Sequence, residues 1–94
     1  MTVVRVDLGD RSYPVHVGEG VRELLTEVLP DGARRAAVIT QPGIPWTVDP
    51  GVEHLVVDVP DGEAAKSLSV VEDVCRRLAD WGFTRGDVVI AVGG

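Results

Sequence analysis

The sequence predicts an α/β domain built on a largely parallel sheet, and three observations carry that prediction. Short apolar runs alternate with stretches of helical periodicity along all 94 residues. Two of the runs, 35–40 and 87–92, are nearly continuous in Ala, Val and Ile, the pattern of strands covered on both faces. The second of them runs into Gly93-Gly94. Glycines at the carboxyl end of such a strand let backbone N–H groups approach a phosphate.

The elements follow in order. Val4, Val6 and Leu8 alternate with Arg5 and Asp7, a half-buried strand. Gly9-Asp10-Arg11-Ser12 is a turn by composition. Tyr13, Val15 and Val17 form a second strand, and Pro14 places it at an edge, so the two predict an antiparallel hairpin. Gly18-Glu19-Gly20 breaks the chain. Val21, Leu24, Leu25, Val28 and Leu29 mark one face of a short helix, which Pro30-Asp31-Gly32 ends. Residues 35–40 are the third strand. Residues 41–51 carry Pro42, Pro45 and Pro50 and predict an ordered loop with no helix. His54 to Val59 is the fourth strand, and Pro60-Asp61-Gly62 a turn. A helix from Ser67 to Trp81 would bury Leu68, Val71, Val74, Cys75 and Leu78, with Gly82 as its stop. Asp87 to Val92 is the fifth strand. The expected total is about five strands and two helices, with an opening β-hairpin.

Composition removes several function classes. A net charge of −6 speaks against a nucleic-acid partner, which needs clustered Lys and Arg. Arg34-Arg35 and Arg76-Arg77 read as solvated surface. No apolar run approaches the ~18 residues of a membrane span. One cysteine, Cys75, excludes an internal disulfide and reads as a buried, inert thiol. The first residues lack the pattern of a signal peptide, and the expected location is cytoplasmic. His16 and His54 have no metal-ligand spacing around them and read as structural.

In parallel sheets, ligands bind beyond the carboxyl ends of the strands. Thr40-Gln41-Pro42-Gly43, Pro60-Asp61-Gly62-Glu63 and Gly93-Gly94 would all lie there. A carboxylate such as Glu63 suits ribose hydroxyls, and Lys66 offers a point charge to hydroxyls or phosphate oxygens. The bland readings stand beside these. Asp61-Gly62 is a common turn pair, Glu63 an acid near a helix start, and Lys66 plain surface.

Pro60-Asp61-Gly62-Glu63-Ala64-Ala65-Lys66-Ser67 resembles the PDGE-x-x-KS motif of the 3-dehydroquinate synthases, within the sugar phosphate cyclases. Gly82-Phe83-Thr84-Arg85-Gly86-Asp87 is similar to the family's GF-x-R-x-D connection, and Val88 to Gly94 to its strand and first two glycines. The opening hairpin and Gly18-Glu19-Gly20 also fit, so the resemblance covers essentially the whole chain. It implies a Rossmann-like, incomplete amino-terminal NAD-binding domain over 1–94, with the helical metal and substrate domain absent from this chain. It implies an NAD-dependent lyase that cyclises 3-deoxy-D-arabino-heptulosonate 7-phosphate to 3-dehydroquinate with loss of phosphate, in the shikimate pathway of aromatic biosynthesis. The family also implies a divalent metal, zinc or cobalt, a sugar phosphate substrate and a homodimer. Carried over residue by residue, the cofactor-binding positions are Asp61, Gly62, Glu63, Ala64, Ala65, Lys66, Gly93 and Gly94. No catalytic residue and no metal ligand falls within the chain, which is expected to be inactive alone.

Two departures accompany the resemblance. Where the family has an Asp or Asn toward the adenosine half of NAD, Thr40-Gln41-Pro42-Gly43 stands, leaving Gln41 as the candidate. Where the family has a helix, Ile44 to Pro50 is short and proline-rich, which implies a divergent subgroup and an altered adenine pocket; Trp46 fits either lining that pocket or packing on the sheet, with packing the favoured reading. The alternatives are another sugar phosphate cyclase, a metal-dependent polyol dehydrogenase, or a non-catalytic interaction module whose unpaired strand edges join another chain.

Overall fold

The computed structural model describes residues 1–93. It holds two sheets. The first is a hairpin of β1 (Thr2–Val6) and β2 (Tyr13–Val17), paired antiparallel with Arg5 opposite Pro14. The second is a parallel sheet of β3 (Arg35–Thr40), β4 (Glu53–Asp58) and β5 (Val88–Ala91), in the order β4-β3-β5. β3 is the central strand and carries most of the core. Ala36, Ala37 and Val38 are buried, and Val57 on β4 joins them. Small side chains at 36 and 37 suit a strand that must accept cover on both faces.

The long helix, α2 (Leu68–Trp81), joins β4 to β5 across one face of the sheet. Its limits are chemical. Ser67 Oγ accepts the Val70 N–H at 3.3 Å, an N-cap, so the helix begins one residue after Ser67. Gly82 takes the left-handed conformation at φ 81°. The Gly82 N–H then bonds the Ala79 carbonyl and the Phe83 N–H the Leu78 carbonyl, a Schellman closure.

Several expectations shift. The first strand ends at Val6 rather than Leu8, because the Leu8 N–H donates to Ser12 Oγ at 2.8 Å and its carbonyl accepts from Arg11. The first helix is not continuous. A 3₁₀ segment, Val21–Leu24, passes into one α turn, α1 (Leu25–Val28), and Leu29 is already extended. Pro30 imposes that, since it excludes helical backbone at the residue before it. A 3₁₀ turn at Gly62–Ala65 fills the space before α2. The fourth strand begins at Glu53, one residue earlier than expected, and ends at Asp58; Val59 still donates to the Thr40 carbonyl at 2.8 Å. The fifth is trimmed at both ends, and Val92 keeps one bond to the Ile39 carbonyl at 2.9 Å.

The core face of α2 is also corrected. Val70, Val74, Leu78 and Trp81 turn inward, while Leu68 is 88% exposed, Val71 54% exposed, and Cys75 carries an exposed thiol. The helix has apolar residues on two adjoining stripes, and the sheet covers one of them. The 41–51 loop contains no helix, as expected. Its Pro50 is fully buried, and Trp46 lies over the sheet face near Val38 and Val56, with the Arg22 guanidinium 4.2 Å from its ring centroid.

Arg35 closes the amino-terminal end of the sheet. Its Nη1 donates to the Trp81 carbonyl at 3.2 Å, and its Nη2 to the Gly82 carbonyl at 2.7 Å and to Asp87 Oδ2 at 3.2 Å. The guanidinium stacks 3.9 Å from the Trp81 ring centroid. Asp87 Oδ2 also accepts the Thr84 backbone N–H at 2.8 Å. That backbone bond, with Arg35 beside it, holds the Asp87 carboxyl below its ordinary value against the opposing effect of desolvation.

Because the folded pKa is depressed, the folded state binds fewer protons here than the unfolded one. The stabilisation is complete above the ordinary value of 3.8 and is lost as pH falls through the lowered folded value. Asp87→Asn should therefore be less stable than the wild type near pH 7, with the difference narrowing below about pH 4. Urea unfolding of both proteins across pH 2–7 reads this directly.

Candidate functional site

The parallel register brings three strand ends side by side. Thr40 pairs with Asp58, and Ile39 with Ala91. Neighbouring strands lie about 4.8 Å apart, so the segments leaving β4 and β5 are about 10 Å apart across β3. Gln41 leaves the central strand, Pro60 to Lys66 leave β4, and Gly93 follows β5. The structure thus gathers the expected positions at one edge, with Gly94 outside the described residues.

The turn after β4 is shaped by Asp61 and Gly62. Asp61 is extended, at φ −70° and ψ 144°, and its side chain makes no capping bond. Gly62 has φ +63°, a left-handed conformation that admits glycine readily and other residues at a cost. The chain then enters Gly62–Ala65, and the Lys66 N–H donates to the Glu63 carbonyl at 3.0 Å. This turn places the two side chains on one side. Lys66 Nζ donates to Glu63 Oε1 at 2.9 Å, with the side chains 72% and 86% exposed. An ion pair this exposed is worth about 0–1 kcal/mol, so a ligand can recruit either group cheaply.

Ala64 is exposed, Ala65 half-buried, and both are spacers within the turn. Gln41 is half-buried, and its carbonyl accepts the Ile44 N–H at 3.2 Å. A Cβ built on Gly93 meets nothing within 4 Å, which leaves the backbone there open to a ligand.

Charge narrows what this edge can hold. Asp58, Asp61 and Glu63 cluster at the end of β4 with Lys66 as the nearby cation. Carboxylates accept hydrogen bonds and suit hydroxyl groups, whereas a phosphate needs donors. In chemistry the β4 end suits hydroxyl groups, and the Gly93 backbone and the Lys66 ammonium suit an anion.

The other candidates fall outside this edge. His54 Nδ1 lies 2.9 Å from the Val52 carbonyl, a local contact. His16 is half-buried, and among the described residues its Nδ1 has no hydrogen-bond partner. A cleft of about 310 Å³ runs from His16 past Arg22 and Trp46 to Gly93, with mostly apolar walls. Among the described residues no group of three or more His, Cys, Asp and Glu side chains is placed to hold a metal ion, so no step is assigned to one. Also among them, no helix is long and apolar enough to cross a membrane.

No protein-family model matches the chain. Curated relatives do match it along its length. A protein of Amycolatopsis mediterranei named "Putative aminodehydroquinate synthase" is 47% identical over 94 residues, covering 99% of the chain. The 3-dehydroquinate synthase of Thermobifida fusca is 38% identical and that of Geotalea uraniireducens 32% identical, each over 100% of the chain. The chain spans only 27%, 28% and 29% of these relatives' lengths. The likeness therefore extends over the whole chain and a little over a quarter of each relative.

The two glycines of the edge should respond differently to a methyl group. Gly62→Ala places an L side chain at φ +63° and should lower stability by about 1–2 kcal/mol. Gly93→Ala meets open space and should change stability by less than about 0.5 kcal/mol. Thermal unfolding of the two variants checks the contrast.

Proposed function

We propose that this chain, a relative of the 3-dehydroquinate synthases along its whole length, supplies the amino-terminal NAD-binding part of such an enzyme. The observation that carries the reading is the juxtaposition of the Glu63–Lys66 pair with the Gly93 backbone at the carboxyl ends of parallel strands. The residues fit a dinucleotide. Glu63 and Asp61 offer acceptors to ribose hydroxyls, and Gln41 offers a neutral amide at the central strand. Lys66 and the Gly93 backbone face the negative charge.

Bound NAD would supply reversible hydride transfer, which permits phosphate elimination from the sugar phosphate before the ring closes. This chain's residues bind and orient. Glu63, released from Lys66, would grip the ribose hydroxyls, and the bend at Gly62 holds both side chains on one side of the turn. Substrate groups and metal ligands would come from the remainder of a full-length enzyme, so these 94 residues alone should show no turnover. The full-length protein is proposed to be a cytoplasmic homodimer.

The relative at 47% identity, named for aminodehydroquinate synthesis, supports a second reading within the same chemistry: a cyclase acting on an amino-substituted sugar phosphate. Both readings share the cofactor site, and substrate choice between them depends on groups outside it.

Calorimetric titration of NAD into the chain tests the site. Weak binding is expected, and Lys66→Ala should weaken it by roughly 1.5–3 kcal/mol, about tenfold or more. Absence of NAD binding, or binding indifferent to Lys66→Ala, would overturn the proposal. Formation of 3-dehydroquinate by the chain itself would contradict the expected division of labour.

A further inference from the structure

The side chains of β3 and β5 do not choose their own register. Ala36 to Ile39 pair with Val88 to Ala91, and all of these residues are apolar. A slip of two residues keeps every side chain on its face and sets apolar against apolar again. Val92 would then stand beside Val38 in place of Ile90. A strand pair of this composition is weakly specified. The other side of the central strand differs. A slip of two between β3 and β4 would set Asp58 or His54 beside Val38, which is buried. Burying either polar group without a partner is costly, so the β3–β4 register follows from its own side chains.

One polar contact distinguishes the registers open to β5. Arg35 and Asp87 stand one step before Ala36 and Val88, and their side chains meet at 3.2 Å. The same guanidinium donates to the Trp81 and Gly82 carbonyls, at the end of the helix that delivers β5. A slip of two residues moves β5 about 7 Å along β3. It separates Asp87 from the cation and leaves a carboxylate only 9% exposed without it. At the opposite end, the same slip carries Gly93 about 7 Å away from Gln41 and from the turn that holds Glu63 and Lys66.

We propose that Arg35 is a positioning residue for the dinucleotide. It selects the β3–β5 register that brings Gly93 level with Gln41 and Lys66, and it does so from about 20 Å away along the strands. The consequence for binding rests on the cofactor reading above; the register itself does not. Arg35 touches no ligand. Its effect is one of population, because apparent affinity falls with the fraction of molecules that hold the matched register.

Two backbone bonds report the two sides of β3 separately. The Val59 N–H donates to the Thr40 carbonyl at 2.8 Å, and the Val92 N–H to the Ile39 carbonyl at 2.9 Å. Each ties the end of an outer strand to the central one. Hydrogen exchange of the 94-residue chain, read by NMR in the wild type and in Arg35→Met, compares them. Methionine keeps an unbranched stem beside Trp81 and removes the donors. The Val92 amide should exchange about tenfold faster or more in the variant, and the Val59 amide less than about threefold faster. NAD should bind the variant about tenfold more weakly, and saturating NAD should restore the protection of Val92. Asp87→Asn is a milder change that leaves the guanidinium and its carbonyl bonds in place. It should speed Val92 in the same direction, by about threefold, and keeps the test open if Arg35→Met fails to fold.

Equal acceleration at Val59 and Val92 would mark a merely structural latch and overturn the proposal. So would an unchanged Val92 amide, or an NAD affinity that stays constant while Val92 loosens. A wild type that binds no NAD overturns the cofactor reading instead, and the ratio of the two exchange rates still decides whether Arg35 sets the register.

Discussion

Arg35 is the contact on which the parallel sheet depends. It stands at the first residue of the central strand and reaches the carbonyls that end α2 and the carboxylate that precedes β5. A crossover from β4 to β5 must bring the end of its helix back to the start of β5, beside β3. One guanidinium makes that closure by donating to two carbonyls and one carboxylate, with its planar face on Trp81. Lysine has the charge but lacks the planar fork and the stacking surface. The helix dipole assists, since the negative end of α2 faces this cation.

The consequence appears at the opposite end of the strands. With β3 and β5 held in register from Ala36 to Ile39, their carboxyl ends finish level, and the turns that leave them meet at one edge. These strand ends are thus positioned by a contact six residues away, from Arg35 to Gln41 and from Asp87 to Gly93. The site's own interactions are weak by comparison. The Glu63–Lys66 pair is exposed, and Gly93 touches nothing with its missing side chain. That combination of a fixed frame and loosely held polar groups suits a ligand that must be bound and released.

Much of this was legible in the residues. The five strands, the hairpin with Pro14 at its edge, the helix-free loop and the Gly82 stop all follow from local chemistry. The rest was set by tertiary context. Periodicity showed that α2 has an apolar flank, yet two neighbouring stripes fit the pattern, and only the sheet decides that Val70, Val74, Leu78 and Trp81 turn inward. Cys75 was read as buried for the same reason and is exposed. The break of the first helix was written in Pro30, whose effect on Leu29 outweighs five apolar residues at helical spacing. At the site, glycines and charges could be named from the motif, but the pairing of Glu63 with Lys66 required the 3₁₀ turn that follows Gly62. Arg35 gave no signal, because one arginine of an Arg-Arg pair reads as surface.

The central claim is that three strand ends, drawn level by the register around β3, form one dinucleotide site. Mapping backbone amide shifts by NMR while NAD is added addresses it most directly. The account predicts perturbations at Gln41, Gly62 to Lys66 and Gly93, while the amides around Arg35 and Asp87 at the far end stay still. Perturbations confined to the apolar cleft lined by His16, Leu24 and Val28, with Lys66 unmoved, would contradict it.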